Sequence, residues 1–236
     1  NVKCRLSGLK PDVSVLVATV RALKMHGGGP EVVPGRPLPE AYTQEDLALL
    51  EAGCANLLHH AETIRKSGIT PVVCINRFYT DTDAELALVR RICHEHGLRC
   101  AVSDHWRYGG AGAEELAREV VRICDEGSGD FRFAYESEMS IPEKINAVVT
   151  KVYRGAGIEL TSQAKKQLAV LEEQGFGNLP VCIAKTQYSF SDDPAKLCAP
   201  EGFTVTVRSL RVSAGAGNIS RISARRFSGS VGRVML

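Results

Sequence analysis

The sequence predicts an α/β protein: a partial doubly wound parallel sheet with flanking helices, followed by a smaller appended region. Three observations support this prediction. Short runs rich in β-branched residues alternate with longer runs of helical period. The first short run, residues 13–20, is apolar on both faces, as in a parallel sheet covered by helices. The alternation recurs at a spacing typical of βαβ units, whose strands lie parallel in one sheet.

The composition is that of an ordinary globular protein. Of the 236 residues, 44% are hydrophobic and 24% are charged, which suffices for one large domain or two small ones. The net charge of +2 does not indicate nucleic acid or an anionic membrane as a partner. The longest apolar run, 13–20, is far shorter than the roughly 20 residues that span a bilayer. Because the chain opens with neither an initiator Met nor a signal peptide, we expect a cytoplasmic chain that begins within a longer protein.

The cysteines and histidines do not indicate a metal site. None of the eight cysteines lies in a paired, closely spaced motif, so we predict reduced thiols, most of them buried, with Cys54, Cys74, Cys93, Cys124 and Cys182 in apolar patterns. The six histidines lack the spacing that would place two of them on one helix face with a carboxylate. We predict no metal ligands.

Each element follows from its own pattern. The predicted strands of the sheet are 13–20, 70–76 and 99–104, and the helices that follow them are 43–66, 82–96 and 113–126. Thr43 with Asp46 three residues later is a plausible cap for the first helix. After Gly127 the pattern gives helices at 141–153 and 161–174 and strands at 179–185 and 203–208. We therefore predict an α/β core at 1–130, an appended region at 131–217 and an atypical basic tail at 218–236.

The loops after the strands are the candidate site, because ligands of such sheets bind beyond the carboxyl ends of the strands. The first loop is predicted at 21–39. Arg21 and Lys24 are cations at a place where anions often bind, and the glycines at 27–29 let the backbone approach a ligand. A solvated loop with a turn is the alternative.

The second and third loops carry aromatic residues. Phe78 and Tyr79, in the loop 77–82, could stack on a flat ring, and Asn76 lies where some nucleotide-binding folds contact a base. Thr80, Asp81 and Thr82 are better explained as helix caps. Trp106, the only Trp, lies in a glycine-rich loop at 105–113, where stacking on a heterocycle and local packing are both open.

A fourth loop, 185–193, is polar with two aromatic residues, and it could contact a ligand or another subunit. The sequence contains no Gly-x-x-x-x-Gly-Lys-Ser/Thr phosphate loop and no Gly-x-Ser-x-Gly elbow. The residues alone therefore predict an α/β domain with an aromatic-lined ligand edge.

Three segments resemble formate–tetrahydrofolate ligase, also called formyltetrahydrofolate synthetase. They are Val17-Ala-Thr-Val-Arg-Ala-Leu-Lys-Met-His-Gly-Gly28, Thr80-Asp-Thr-Asp-Ala-Glu85, and Gly177-Asn-Leu-Pro180 running into Ala184-Lys-Thr-Gln-Tyr-Ser-Phe-Ser-Asp-Asp193. The likeness covers about residues 8–217 and corresponds to the carboxy-terminal half of the family. It implies a P-loop NTPase-like fold whose phosphate-loop part is missing from this chain.

The resemblance implies the following chemistry. An ATP-dependent ligase joins formate to tetrahydrofolate through formyl phosphate and gives 10-formyltetrahydrofolate, ADP and phosphate. Mg-ATP is then a substrate, and a monovalent cation, potassium or ammonium, is an activator. The family sandwiches the folate ring between a Phe and a Trp, which fall by local motif on Phe78 and Trp106. Tyr79, Ser103 and Asp104 are further candidates for contacts to the ring.

Three features depart from the family pattern. Tyr79 stands where members often have proline, which we expect to loosen the loop. The basic tail stands where members have a Met-Pro-Gly-Leu-Pro run, and the phosphate-loop half is absent.

Two hypotheses stay open: a ligase fragment that needs its missing amino-terminal half, or a non-catalytic folate- or nucleotide-binding module. A Rossmann-type dehydrogenase is disfavoured because no strand is followed by Gly-x-Gly-x-x-Gly. In isolation we expect exposed sheet edges and aggregation or homo-oligomers.

Overall fold

The computed structural model describes residues 2–33, 35–127, 129–184, 189–213 and 218–222. Its helices are α1 (Val2–Ser7), α2 (Val20–His26), α3 (Leu47–Lys66), α4 (Asp83–Glu95), α5 (His105–Tyr108), α6 (Glu114–Glu126), α7 (Ile141–Lys151) and α8 (Ser162–Glu173). Its strands are β1 (Val13–Ala18), β2 (Thr70–Asn76), β3 (Arg99–Ser103), β4 (Gly157–Leu160), β5 (Val181–Ala184), β6 (Thr204–Val207), β7 (Ser209–Ser213) and β8 (Asn218–Ile222). Short 3₁₀ turns lie at Glu40–Tyr42 and Gly109–Ala113.

The chain divides into two compact units. The sheet unit comprises Lys10–Arg132, and the second unit comprises Asn1–Leu9 together with Phe133–Leu236. Each unit has its own cluster of buried apolar side chains.

The sheet unit contains three parallel strands in the order β1-β2-β3. Ala18 lies opposite Ile75 and Asn76 lies opposite Ser103, so the carboxyl ends of the strands meet at one edge. The central strand β2 is buried from Pro71 to Ile75, because it is covered on both faces. The predicted α/β class with a parallel sheet and flanking helices is confirmed.

The strand β1 lies at the edge of this sheet and is covered less completely than its apolar sequence predicts. Val15 and Val17, on one face, are 40% and 61% exposed, whereas Ala18 on the other face is buried. An apolar run shows that both faces suit burial, but it does not show whether a neighbour is present to cover them. The expectation that this strand is buried on both faces is therefore wrong for the described residues.

Helix starts depend on which polar side chain reaches the free backbone N–H groups. Thr82 caps α4 and Glu85 returns the bond to the Thr82 N–H, so the predicted helix and its capping role for Thr82 are confirmed. For α3 the expected cap is wrong. Asp46, in extended conformation, accepts a hydrogen bond from the Leu49 N–H, while Thr43 ends the preceding 3₁₀ turn.

The predicted loop 21–39 begins as a helix. Thr19 caps α2, which continues to His26 and packs against α3. A Cβ on Gly53 would lie 1.7 Å from the Leu23 carbonyl oxygen, and one on Gly27 would lie 2.0 Å from that of Leu49. These glycines therefore allow two helix backbones to approach closely.

The second unit has two small sheets. The strands β4 and β6 pair in parallel, while β5 and β8 pair in parallel and β7 joins β8 in antiparallel orientation. The hydroxyl of Tyr135 accepts a hydrogen bond from the Val181 N–H at 3.0 Å. Arg5 of α1 donates to the Tyr135 carbonyl at 2.5 Å and lies over the Phe133 ring, which docks this helix onto its own unit.

The beginning of the predicted basic tail is ordered. Residues Asn218–Ile222 form β8, and Ile219 is buried, so this stretch is a strand rather than part of a tail. It pairs with β7 just before it in the chain and with the more distant β5, and the sequence of this stretch shows no clear period. Residues 223–236 of the predicted tail lie outside the described residues.

All eight cysteines are free thiols, with Cys54, Cys74 and Cys93 buried. Cys124 is exposed, contrary to its expected burial, because it lies on the outer side of α6. Among the described helices, none has the length and apolar composition needed to cross a membrane.

Candidate functional site

The carboxyl edge of the three-stranded sheet brings together the aromatic loops singled out by the sequence. Arg21 lies in the first turn of α2, Phe78 follows β2 and Trp106 lies in α5 after β3. The second and third loops are joined directly, because the Arg77 N–H donates to the Ser103 carbonyl at 3.0 Å. This bond extends the pairing of β2 and β3 into the loops.

The turn after β2 is closed at both ends. The Asp81 N–H donates to the Phe78 carbonyl at 3.0 Å, and the Phe78 N–H donates to the Asp81 Oδ2 at 2.8 Å. Tyr79 occupies the second position of this four-residue turn and is 82% exposed. Asp81 thus closes the turn at both ends, and the expected loosening of the loop stays a prediction.

Asp81 is a structural rather than a reactive carboxyl. Burial raises its pKa, while the hydrogen bond from Phe78 acts in the opposite direction. Glu85 adds to the increase, and the positive charges of Arg21 and Lys24 oppose it. The preference for a structural role of Asp81 agrees with these contacts.

Arg21 lies against the aromatic turn. Its guanidinium carbon is 4.4 Å from the centroid of the Phe78 ring and 5.9 Å from that of Tyr79. Its Nη2 donates to the Thr80 hydroxyl at 3.0 Å, so Arg21 holds the same turn at two points. Its Nε is buried and has no hydrogen-bond partner among the described residues.

Lys24, the other expected anion contact, faces the interior. Its ammonium lies 2.5 Å from a carboxylate oxygen of Glu85, and each side chain is only 1% exposed. It also donates to the Gln44 carbonyl at 2.6 Å. We therefore do not include Lys24 among the proposed ligand contacts.

Asn76 and Ser103 end neighbouring strands opposite one another. Asn76 is half-buried, whereas Ser103 is buried and its hydroxyl lies 2.9 Å from Nδ1 of His105. The Ser103 hydroxyl also lies close to the Cys74 thiol, whose pKa is raised by burial. The buried Ser103 side chain thus contacts the first residue of α5.

Trp106 is 77% exposed, and Tyr108 two residues later is also exposed. An indole so open to solvent has a free face for another ring, and this exposure disfavours the packing-anchor alternative. The carbonyl of Asp104 accepts hydrogen bonds from the N–H groups of Arg107 and Tyr108, which forms the short helix that carries Trp106. The Asp104 side chain is half-buried beside it.

Gly112 allows this loop to return to the strand end, a role that the sequence reasoning missed. Its carbonyl accepts a hydrogen bond from the Asp104 N–H at 2.9 Å, and a Cβ on Gly112 would lie 2.3 Å from the Asp104 carbonyl oxygen. A Cβ on Gly110, two residues earlier, would lie in open space. The two glycines look alike in sequence, so only the fold distinguishes them.

The fourth predicted loop is partly buried. Phe190 lies in the core of the second unit, and the buried hydroxyls of Ser189 and Ser191 are 3.1 Å apart. Residues 185–188, which include one of its two aromatic side chains, lie outside the described residues. In the described part of the chain, no three His, Cys, Asp or Glu side chains are grouped so as to hold a metal ion.

Comparison with known proteins gives one consistent family. The family model for formate–tetrahydrofolate ligase matches residues 1–226. The formate–tetrahydrofolate ligase of Dehalococcoides mccartyi is 50% identical over 92% of this chain and 36% of the relative. That of Desulfovibrio desulfuricans is 48% identical over 94% of this chain and 38% of the relative.

A longer relative is similar over the same stretch. The cytoplasmic C-1-tetrahydrofolate synthase of Schizosaccharomyces pombe is 48% identical over 95% of this chain but only 24% of its own length. This chain thus spans little more than a third of the two ligases and about a quarter of the synthase.

Proposed function

The chain belongs to the formate–tetrahydrofolate ligase family, and from this membership we propose that it forms the folate-binding wall of an ATP-dependent ligase. In the reaction proposed for the whole protein, formate takes up the γ-phosphoryl group of ATP, which gives formyl phosphate and ADP. An amine nitrogen of tetrahydrofolate then attacks the formyl carbon and phosphate leaves. The products are 10-formyltetrahydrofolate and phosphate, with Mg-ATP as substrate and potassium or ammonium as activating cation.

The proposed division of labour follows from what this chain contains. Phosphoryl transfer depends mainly on positioning and on cations and backbone N–H groups around the phosphates. The sequence has no phosphate loop of the Gly-x-x-x-x-Gly-Lys-Ser/Thr type, and the chain spans about a third of its ligase relatives. We therefore assign to it ring binding rather than the phosphoryl step, with an amino-terminal part or another copy of the protein as partner.

The observation that carries this proposal is the exposed indole of Trp106 at the edge where Phe78 also lies. The two residues follow neighbouring parallel strands whose loops are joined by the bond from Arg77 to Ser103. A reduced pterin has a flat pyrimidine ring that can stack on aromatic faces. Each such contact contributes about 0.5–1.5 kcal/mol beyond the burial of apolar area.

Polar groups near the two rings suit the edge of a pterin. The half-buried carboxylate of Asp104 is a hydrogen-bond acceptor, and the pterin ring carries N–H and amino donors. Tyr79 adds an exposed aromatic ring beside Phe78. Ser103 contacts His105 at the start of α5 rather than the ring, and Asn76 stays as a proposed contact at the same edge.

The test is a titration of Trp106 fluorescence with tetrahydrofolate, under anaerobic conditions and corrected for inner-filter absorption. The signal has one source because Trp106 is the only Trp. We expect saturable quenching that is weakened in Phe78→Leu, which keeps apolar volume but removes the ring, and retained in Phe78→Tyr. A folded chain whose fluorescence shows no saturable change contradicts the proposal.

A non-catalytic folate- or nucleotide-binding module is the second candidate, because the exposed rings of Tyr79 and Trp106 could bind a flat ring without any phosphoryl chemistry. The two candidates differ in turnover. Folate-dependent ADP formation by the longest natural protein that contains this chain supports the ligase. Folate binding by that same protein without ADP formation supports the module.

A further inference from the structure

We propose that Arg21 is a positioning residue for the folate ring, because its guanidinium, held by Thr80, fixes the orientation of the Phe78 ring. This inference rests on the proposed function, since Phe78 is one of the two rings of the proposed folate site. It assigns to Arg21 a role different from the direct contact with an anion that its charge suggests.

The geometry joins two separate loops. Arg21 belongs to the helix after β1, whereas Phe78 and Thr80 belong to the turn after β2. The guanidinium carbon lies 4.4 Å from the Phe78 centroid, well inside the roughly 6 Å at which a cation is attracted to an aromatic face. The 3.0 Å bond from Nη2 to the Thr80 hydroxyl holds the planar group in place over the ring.

This contact covers one face of Phe78, and in the proposal the ligand stacks on the opposite face. The last torsion of a Phe side chain is broad, so an unsupported, half-buried ring can turn. A ring already held loses less freedom when a second flat ring stacks on it, which improves affinity without a new contact to the ligand. Arg21 thus holds the Phe78 ring from the face opposite to the one proposed for the ligand.

The contacts of Arg21 favour positioning over capture of an anion. Its positive charge acts on the buried Asp81 carboxyl in the same turn. Lys24 and Glu85, the other charged groups facing Asp81, neutralise each other in their buried pair. The face of the Arg21 guanidinium is already occupied by Phe78, and its Nη2 is already bonded to Thr80.

The experiment compares four variants by the Trp106 titration with tetrahydrofolate. Arg21→Ala is expected to raise the Kd about three- to tenfold, the loss that corresponds to one aromatic contact. Arg21→Lys keeps the charge but lacks the planar fork, so it is expected to bind nearly as weakly. Thr80→Val removes only the hydroxyl acceptor and is expected to raise the Kd about twofold.

The fourth variant is a matched control. Arg77→Ala removes a neighbouring guanidinium that pairs with Asp83 rather than with an aromatic ring, and it is expected to leave the Kd unchanged. A second readout follows the ring itself, using the fluorine resonance of 4-fluorophenylalanine at Phe78, assigned by its loss in Phe78→Leu. We expect this resonance to shift or broaden in Arg21→Lys and Thr80→Val without folate, and to stay unchanged in Arg77→Ala.

The outcomes separate the two proposals. If the unchanged chain binds tetrahydrofolate and Phe78→Leu weakens it, but the Arg21 variants bind normally, the positioning role is wrong and the proposed function stands. An unaltered Phe78 resonance in Arg21→Lys and Thr80→Val contradicts the positioning role even if Arg21→Ala does not fold. If the folded, unchanged chain does not bind tetrahydrofolate, both proposals fall.

Discussion

Lys24 and Glu85 form a 2.5 Å ion pair that is closed to solvent on both sides. The Glu85 carboxylate also accepts hydrogen bonds from the backbone N–H groups of Asp46 and Thr82, the caps of α3 and α4. One buried carboxylate therefore connects the start of two helices to the middle of α2. This network places the loops at the carboxyl edge, although none of its members is proposed to touch a ligand.

Removal of the Glu85 carboxylate is the first prediction. Glu85→Ala leaves Lys24 as a buried charge without its partner, so we expect a loss of about 3–5 kcal/mol in the free energy of unfolding. Glu51→Ala breaks an exposed pair with Arg91 and should cost about 0–1 kcal/mol. Urea unfolding followed by circular dichroism gives both values, and equal losses contradict the structural role of the buried pair.

The second prediction concerns the loop that carries Trp106. In Gly112→Ala the new Cβ meets the Asp104 carbonyl at 2.3 Å, so the loop must shift and the indole moves with it. We expect weaker quenching of Trp106 by tetrahydrofolate and an altered emission maximum without ligand. Gly110→Ala introduces the same methyl group into open space and should behave as the unchanged chain. If the two variants bind alike, Gly112 does not position Trp106.

The elements of the sheet unit could be predicted where local sequence alone decides them. The β2 run and the reciprocal Thr82–Glu85 cap follow from apolar content and from a three-residue spacing. The start of α3 could not be predicted, since Thr43 and Asp46 are both good caps and the competing 3₁₀ turn settles the choice. The strand β8 could not be predicted either, because it lies between β7 and the distant β5 and its own residues show no clear period.

The candidate site shows the same division. The sequence placed aromatic residues after two strands, and the loops that carry them do lie at one edge. The sequence could not distinguish Arg21 from Lys24, because both are cations three residues apart after the same strand. Helix α2 separates them: it turns Lys24 toward buried Glu85 and Arg21 toward Phe78. The prediction of a loop at 21–39 missed this difference, because the difference depends on the helical geometry of α2.

The third prediction is a pH dependence of stability that arises from His26. Burial lowers the pKa of His26 below its ordinary value of 6.5. Between the lowered pKa of the folded state and 6.5, the unfolded chain binds more protons, so the free energy of unfolding rises with pH in that window and then levels off. His26→Gln should flatten this rise in urea unfolding measured from pH 5 to pH 7.

The control for that measurement is His94→Gln, which removes an exposed imidazole from α4. Subtraction of the His26→Gln profile from that of the unchanged chain leaves the contribution of His26, and the His94→Gln profile shows what the loss of an exposed imidazole does by itself. Superimposable profiles for the two variants contradict the assignment of the rise to His26.

The fourth prediction restores the proline that the family often carries. Tyr79 is the second residue of a turn closed by the bond from the Asp81 N–H to the Phe78 carbonyl, a position that favours proline. Tyr79→Pro should raise the free energy of unfolding by about 0.4–1 kcal/mol, because proline lowers the conformational entropy of the unfolded chain. Thr80→Pro, at the third position, should lower it. A destabilised Tyr79→Pro means that the turn has a backbone conformation that excludes proline at this position.

The fifth prediction concerns association through β1. In the described residues β1 pairs only with β2, so its outer N–H and C=O groups offer an edge to another strand. Val15 and Val17 add exposed apolar surface on one face of that strand. We expect the isolated chain to form oligomers or aggregates, because pairing at this edge satisfies backbone groups and buries both valines.

A charge on this face should oppose such association. Val17→Lys places an ammonium where a second molecule must pack, and we expect size-exclusion chromatography with light scattering to show a shift toward monomer. Val170→Lys makes the same change at an exposed valine of helix α8 and should leave the distribution unchanged. If the unchanged chain is a long-lived monomer, the β1 edge does not drive association. If both variants become equally monomeric, added positive charge rather than the blocked edge is the cause.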